Sequence, residues 1–542
     1  MSGENYKNSL EKVPFEVALD EAGYGLYSHL LTVLTGLSII SYVFVIYSST
    51  IIVPTSACEL QTTSAQQGLL VAGPLVGTVI GSAIWGYLAD KYGRRSMLLV
   101  SFLAAAAING VASISVSWIM LLLLQFLVAV LAAGQYSIPM TLLSECVPMA
   151  RRNLVVLIVA SIFLLSQGIM AVVAIPIISL EFSYYLPSLD IYWNPWRTVL
   201  LIYSLPSLIC LLWMYFMQES PKFVFSKGSE EEALRILTLM HRMNCNKNST
   251  EYQASALTQH DINNFLRGVT GILHYCQNPK SKSPSQNELC IFQVKGLLAE
   301  NSDEDKKSSK SSLELFKAPY LKYFVIVTVL FALQQSSAFK VWLPTIANQF
   351  VEIIQSGEGA DFTLCEILGA SQNTPPNPDL PPCALNEIAL LIVLGVSCLT
   401  SLSNIIISQV LPCTGRRNMV IVLAAVFGLS GIVVNLVPNA YGSAFFFILF
   451  LNGMLLLGLY TAIAVALFPT HLRALAVSLT MAGGRIMLFA AIQILNYLLE
   501  TNCELGFYIF ASVLAVSALI SSFLPDDRYL KKSQSVEHRG DI

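Results

Sequence analysis

Twelve apolar runs of about 20 residues constrain this chain more than any other feature, because each can cross the roughly 30 Å hydrocarbon core of a bilayer. They lie near 31–54, 66–88, 96–115, 117–139, 154–178, 197–217, 321–347, 386–411, 418–437, 441–464, 473–499 and 504–524. A composition of 55% hydrophobic and 12% charged residues does not suit a water-soluble globule. In lipid each segment must satisfy its own backbone hydrogen bonds, so the runs are expected to be helices and the fold all-α membrane. The first 28 residues are mixed and charged (Lys7, Glu11, Lys12, Glu16, Asp20, Glu21) and show no secretory leader. The first span is therefore expected to act as its own insertion signal.

Lysine and arginine fix an expected orientation. Of the 31, 28 fall in the N-terminal tail, the even-to-odd loops and the C-terminal tail, which predicts that both termini are cytosolic. The exceptions are Arg197, Lys340 and Arg485. The net charge of −3 is uninformative about nucleic acid, and no basic stripe suggests it, so no nucleic-acid partner is expected. Among 11 cysteines, Cys58, Cys365, Cys383 and Cys503 fall on the opposite, exoplasmic side. Cys365 and Cys383 flank a proline-rich tract, so a disulfide closing that loop is expected. The sequon Asn248-Ser-Thr250 falls on the cytosolic side and should stay bare.

The chain divides into a cytosolic tail (1–30), a six-helix half (31–217), a polar cytosolic loop (218–320), a second six-helix half (321–524) and a C-terminal tail (525–542). The loop begins with an amphipathic helix over Glu230–Met240, and its middle, Asn278 to Ser312, has a disordered composition. It is the place where a cytosolic protein partner would bind. Equal halves suggest an internal repeat, and local motifs support one. Between spans 2 and 3 the chain reads Gly86-Tyr-Leu-Ala-Asp90-Lys-Tyr-Gly93-Arg94-Arg95; about 325 residues later it reads Leu411-Pro-Cys-Thr-Gly415-Arg416-Arg417. After span 4 comes Ser144-Glu145-Cys-Val-Pro148-Met-Ala-Arg151-Arg152, and after span 10 Leu467-Phe-Pro469-Thr-His-Leu-Arg473. In each pair the second copy lacks the acid. Gly73, Gly77 and Gly81 share one face of span 2, a pattern that reads first as tight packing and second as a sliding surface.

The loop at 86–95 resembles the G-x-L-x-D-x-x-G-R-[RK] signature of the major facilitator superfamily. Glu219-Ser-Pro221-Lys222-Phe223 is similar to the P-E-S-P-R signature after helix 6 of sugar porters. Phe15-Glu-Val-Ala-Leu-Asp-Glu-Ala-Gly23-Tyr-Gly25-Leu-Tyr27, Asn194-Pro-Trp196-Arg197 and Val341-Trp342-Leu-Pro344 resemble the synaptic-vesicle-glycoprotein-2-like and organic-ion transporter branch. The resemblance covers nearly all of residues 13–525. It implies the major facilitator fold, two six-helix pseudo-repeats, and a cytosolic gate built from Asp90, Gly93, Arg94, Arg95, Glu145, Arg151, Arg152, Glu219 and Arg473. Within that gate Asp90 is expected to meet Arg94, Glu145 to meet Arg151, and Glu219 to meet Arg151 or Arg152. It also implies a plasma-membrane or synaptic-type vesicle location. The chain departs from the branch in three ways: the helix-1 stretch Ser38–Val45 carries no acid, Gln125 stands where helix 4 has an arginine, and the large glycosylated exoplasmic insert is missing.

No Walker loop, zincin helix or nucleophile elbow is legible, so neither catalysis nor a metal or cofactor is expected. Arg485 lies about 18 Å along its helix from Arg473, near the midplane, where a charge costs about 3 kcal/mol unless it faces a wet cavity. Lys340 lies about 27 Å from Lys322, close enough to the edge for its side chain to reach headgroups. Arg485, Lys340, Gln334, Gln335, Trp342 and Gln125 are expected to line a cavity for a small, anionic or polar organic solute. The Trp193/Trp196 pair reads as an interface anchor with Arg197 as its partner. With no carboxylate inside a span, the expected activity is facilitative or exchange transport by a monomer in lipid, rather than proton coupling. The alternative is a transporter-derived vesicle protein that acts by partner binding.

Overall fold

The computed structural model describes residues 13–180, 182–187, 189–245, 257–258, 313–316, 320–357, 360–373, 385–468 and 470–524. Among these, twelve helices are long and apolar enough to cross a membrane: spans 1 to 12 are Leu26–Leu60, Ser64–Tyr92, Arg94–Ala112, Trp118–Cys146, Met149–Ile178, Pro195–Phe216, Tyr320–Gln355, Glu387–Thr414, Arg416–Val433, Ala440–Val465, Leu475–Thr501 and Cys503–Ser521. The expected number and order hold. Several helices outrun their apolar stretch, because backbone hydrogen bonding continues past the hydrocarbon edge.

Every third span is interrupted. Span 1 is built from Leu26–Ile46 and Ser49–Leu60, span 4 from Trp118–Ala132 and Gly134–Cys146, and span 7 from Tyr320–Leu333 and Ser336–Gln355. Span 10 passes through a 3₁₀ turn, Asn452–Leu455. Hydropathy does not reveal these breaks, but each coincides with small or polar residues that can leave the regular ladder. Irregular backbone at this depth needs buried partners. Gln334 Nε2 donates to the Gly453 carbonyl at 2.7 Å, tying the break in span 7 to that in span 10. Ser41 Oγ donates to Gln135 Oε1 at 3.0 Å beside the break in span 4.

The chain clusters into two compact units, one of residues 1–32, 142–154 and 218–318, the other of 33–141, 155–217 and 319–542. In the smaller, helix Glu230–Asn244 buries Ala233, Ile236, Leu237 and Met240, the stripe its sequence predicts. It packs on helix Phe15–Ala22, which buries Phe15, Ala18, Leu19 and Ala22. Asn244 ends that contact: its Oδ1 accepts from the amides of Tyr27 (3.0 Å) and Ser28 (3.4 Å), two of the otherwise unpaired donors at the start of span 1.

In the larger unit the two glycine–arginine loops adopt one conformation. Gly93 has φ 103° and ψ 151°, and Gly415 has φ 79° and ψ 151°, a region essentially reserved for glycine. Arg95 Nη2 donates to the Tyr215 carbonyl at the end of span 6 (2.6 Å), and Arg417 Nη2 to the Ser522 carbonyl at the end of span 12 (2.5 Å). In the first copy Arg94 pairs with Asp90 at 3.1 Å. In the second copy Arg416 donates to the Ala462 carbonyl at 3.3 Å. Where the first copy has a carboxylate contact, the second thus has a contact with a backbone carbonyl of span 10. The glycine stripe of span 2 is packing: a Cβ on Gly77 or Gly81 would stand 2.7 or 2.3 Å from the carbonyls of Phe126 and Val130 in span 4.

The other end of this unit corrects two expectations. Cys365 is bonded to Cys503, with Cα atoms 5.6 Å apart, and not to Cys383, which lies outside the described residues. Helix Leu364–Asn373 carries Cys365 to the start of span 12, so tertiary packing rather than sequence proximity selects the partner. Cys58 is disulfide-bonded as well. Trp196 and Arg197 are not interface anchors: they are 3% and 1% exposed. Glu59 accepts from Arg197 Nη2 (2.5 Å), Trp196 Nε1 (2.7 Å) and Asn194 Nδ2 (2.8 Å). Arg197 Nη1 also donates to the carbonyls of Ser113 and Ser115, so this clasp joins spans 1, 3 and 6.

Candidate functional site

A chamber of about 240 Å³ lies within the larger unit. Each interrupted span gives it residues near its break: Tyr47 from span 1, Tyr136 from span 4, Gln334 and Ser337 from span 7, and Met454 from span 10. Helix interruption therefore serves the cavity, turning side chains and free backbone groups inward where a continuous helix would offer only a face. The wall is aromatic on one side. Tyr42 and Tyr136 have ring centroids 5.4 Å apart, and Tyr136 and Phe163 5.7 Å.

Among the described residues that line the chamber, Arg485 is the one charged side chain and none is a carboxylate. Its Nη1 donates to Thr78 Oγ1 at 3.1 Å, which links span 11 to span 2. A guanidinium has five donors in a fixed fork, so most of its hydrogen-bonding capacity faces the chamber. It also lies within Coulomb range of the Tyr47 and Tyr136 phenols. The arrangement presents a fixed cation, hydroxyls and ring faces to whatever enters.

Among the residues expected in the cavity, Arg485 and Gln334 line the chamber. Lys340 does not snorkel: it is 5% exposed and lines a second, smaller cavity. Gln335 turns back to donate to the Ala332 carbonyl at 2.6 Å, closing the end of its own helix. Trp342 is buried outside the lining, with no hydrogen-bond partner for its indole nitrogen. Gln125 is also outside it. Its amide donates to Asn109 Oδ1 (3.2 Å) and accepts from Ser48 (3.3 Å), a network inside the first six spans. A neutral glutamine can be absorbed by such a network, whereas an arginine there would need a counter-charge.

The expected gate residues fall in both units. Asp90, Gly93, Arg94 and Arg95 form the loop described above. Asp90 is 76% exposed, so its ion pair with Arg94 contributes 1 kcal/mol at the very most, by about the usual measure of surface pairs. In the smaller unit, Arg152 pairs with Glu16 at 3.4 Å, and Lys222 approaches the same carboxylate at 3.8 Å. Glu145 accepts from Ser220 Oγ at 2.5 Å, while Ser220 Oγ also accepts from the Phe223 amide and so caps the helix Pro221–Ser226. Glu219 accepts from the Ser220 amide at 3.0 Å. Arg151 is exposed and has no ion pair among the described residues, so the expected Glu145–Arg151 pair is not formed. Arg473 lies outside the described side chains. Sequence reasoning missed Glu16, whose helix precedes the first span, and the chamber tyrosines 42, 47 and 136. Tyrosines inside apolar runs were the available signal, since a buried phenol needs a polar partner or a cavity.

Contacts between the first and second six spans concentrate on the side of the chamber nearer the Cys365–Cys503 bond. Asn496 Nδ2 donates to Ser64 O and Oγ (2.9 and 3.0 Å), joining spans 11 and 2. Ser401 Oγ donates to the Ser161 carbonyl (3.0 Å), and a Cβ on Gly168 would stand 3.0 Å from Leu394 Cα, so spans 5 and 8 touch backbone to backbone. Gln167 Nε2 donates to the Lys340 carbonyl at 3.2 Å, joining span 5 to span 7.

Residues 34–360, more than half of the chain, match the Major Facilitator Superfamily, and with this fold the chain belongs to that family of membrane transporters. Within it, the chain is 27% identical over 227 residues to svop-1 of Caenorhabditis elegans (42% of this chain, 41% of that protein). It is 26% identical over 222 residues to the bovine (Bos taurus) synaptic vesicle 2-related protein, covering 41% of this chain and 38% of that one. It is also 26% identical over 240 residues to synaptic vesicle glycoprotein 2B of Mus musculus (44% and 35%). These matches span about two fifths of each relative. The fold also matches a partially occluded inward-open structure of the xylose transporter XylE from E. coli, with TM-score 0.59 and 15% identity over 92% of this chain and 100% of that one.

Proposed function

We propose that the chain carries a small organic anion with an apolar, ring-sized body across a vesicle or plasma membrane by alternating access, facilitatively or by exchange. The observation that carries this reading is Arg485, a cation without a carboxylate partner among the described residues, set in an aromatic chamber of about 240 Å³. An apolar cavity of about 150 Å³ accepts a single benzene ring, so this chamber suits one ring with a charged substituent. The described lining residues include no carboxylate, which supports a mechanism without proton coupling. The open chamber favours transport over the partner-binding alternative, which calls for a filled cavity.

Positive-inside charge supports cytosolic termini, and the Cys365–Cys503 disulfide and the disulfide-bonded state of Cys58 support an oxidising compartment on the other side. On this orientation the described contacts between the halves close the exoplasmic side. Sugar-porter relatives and the vesicle-protein relatives both fit a multi-pass transporter. The test is uptake of radiolabelled benzoate into proteoliposomes with no pH gradient. The expected result is saturable uptake, accelerated by internal unlabelled benzoate and unchanged by a protonophore. Uptake that requires an inward proton gradient contradicts the proposal.

Gly168 provides a second test, of alternating access. A leucine side chain there cannot coexist with Leu394 and Ser397 at their present separation, so Gly168→Leu should favour the state opened toward the exoplasmic side. Labelling of a cysteine placed at Ser64 by an impermeant thiol reagent should rise about tenfold, the effect of a population shift of about 1.4 kcal/mol. Unchanged labelling argues against closure by this contact.

A further inference from the structure

Lys340 presents a separate problem. It lies one helical turn beyond Ser337 in span 7 and lines a cavity of about 30 Å³ together with Ser337, Gln167 and Tyr47. Tyr47 and Ser337 also line the main chamber, so the small cavity is an annex of it. No carboxylate lines the annex, and Lys340 has no ion pair among the described residues. An ammonium buried in protein at membrane depth calls for a counter-charge, because desolvating it is costly. Among the described residues none faces it.

The annex has the other attributes of an anion site. Ser337 sits in the first turn of the helix Ser336–Gln355, whose leading amides carry partial positive charge. The hydroxyls of Ser337 and Tyr47 make no hydrogen bond within the described residues, leaving two further donors for a ligand. Gln167 Nε2 is committed to the Lys340 carbonyl, which holds the wall in place. A volume of about 30 Å³ admits one or two water-sized particles, since about 10–15 Å³ holds one water. It excludes an organic acid with a ring.

We infer that the annex binds a small monovalent inorganic anion, chloride in an ordinary ionic medium, as the counter-ion of Lys340, held by the Lys340 ammonium and the Ser337 and Tyr47 hydroxyls. The anion neutralises the second cation of the cavity system, which leaves Arg485 as the charge that selects the organic solute. The site is independent of that solute's identity.

The test uses the full chain purified in detergent, with its thermal unfolding midpoint measured in sodium chloride and in sodium gluconate at equal ionic strength. Chloride is expected to raise the midpoint by about 3 °C, with bromide doing the same and gluconate not. Lys340→Met should remove the chloride-specific shift; a methionine fits the apolar surroundings, so the variant is expected to fold. Ser337→Ala should raise the half-saturating chloride concentration about tenfold, as loss of one hydrogen bond to a charge does. Arg485→Ala should leave the shift intact, which separates this site from the organic-anion site. A crystal soaked in bromide should show an anomalous peak within contact of Lys340. An equal midpoint in gluconate, a chloride shift that survives Lys340→Met, or bromide bound elsewhere overturns the inference.

Discussion

Replacing Arg485 with alanine should lower benzoate uptake efficiency on the order of 100-fold, about 2.8 kcal/mol of lost binding, by removing the charge that pairs with the carboxylate. The loss should appear as weaker binding rather than as poor folding, because among the described residues Arg485 has one hydrogen bond, to Thr78 Oγ1 at 3.1 Å, and it lines open volume. Arg485→Lys keeps the charge but loses the planar fork. It should recover part of the uptake, leaving a deficit of about tenfold. Thr78→Val removes the hydroxyl that orients the guanidinium and should weaken uptake by a smaller factor, about threefold. Equal uptake by wild type and Arg485→Ala would exclude this arginine from the site.

Removing Arg197 should instead unfold the protein at lower temperature. Its guanidinium is 1% exposed and bonds Glu59 together with the carbonyls of Ser113 and Ser115. Breaking one partner of a buried pair leaves the other charge without compensation, which costs about 3–5 kcal/mol. Arg197→Ala should therefore reduce stability by that amount in an equilibrium denaturation, while leaving benzoate affinity of the folded fraction within about twofold. Glu59→Gln should destabilise as well: an amide oxygen can still accept from Trp196 and Asn194, but the buried Arg197 guanidinium then has no counter-charge. The double variant should be less destabilised than the sum of the singles; strict additivity would mean that the two side chains do not interact in solution.

These two arginines show which parts of the molecule were legible in sequence. A lone cation at mid-span has few satisfactory surroundings, so Arg485 pointed to a cavity before any coordinates. Arg197 was misread because its partner, Glu59, lies 138 residues earlier in chain order, beyond any local pattern. The spans themselves were legible because the bilayer imposes length and apolarity on each segment separately. The cysteine pairing was not, since it depends on how helix Leu364–Asn373 meets span 12. Gln125 was assigned to the cavity because it replaces a charge, yet a neutral amide is free to join an internal hydrogen-bond network. The breaks in spans 1, 4, 7 and 10 fall at small or polar residues, such as Ala133–Gly134 and Gln334–Gln335, which are too common in apolar runs to mark a break by themselves. Their consequence, a chamber lined by tyrosines, appears only when four separated segments come together.

Asp90 and Arg94 form the expected pair, but its exposure makes it a weak device. The loop is also held by the Gly93 backbone geometry and by Arg95, which donates to the end of span 6. The second-half loop repeats the glycine geometry at Gly415 and the arginine contact of Arg417 with the end of span 12.

Whether charge selects the solute can be decided by one comparison on purified protein: the affinity for benzoate against that for benzamide, its neutral isostere, in wild type and in Arg485→Ala. An Arg485-centred site predicts that benzoate binds wild type about 100-fold more tightly than benzamide and that the preference vanishes in the variant. Equal affinity for the two ligands in wild type, or a preference for benzoate that survives the loss of Arg485, would contradict it.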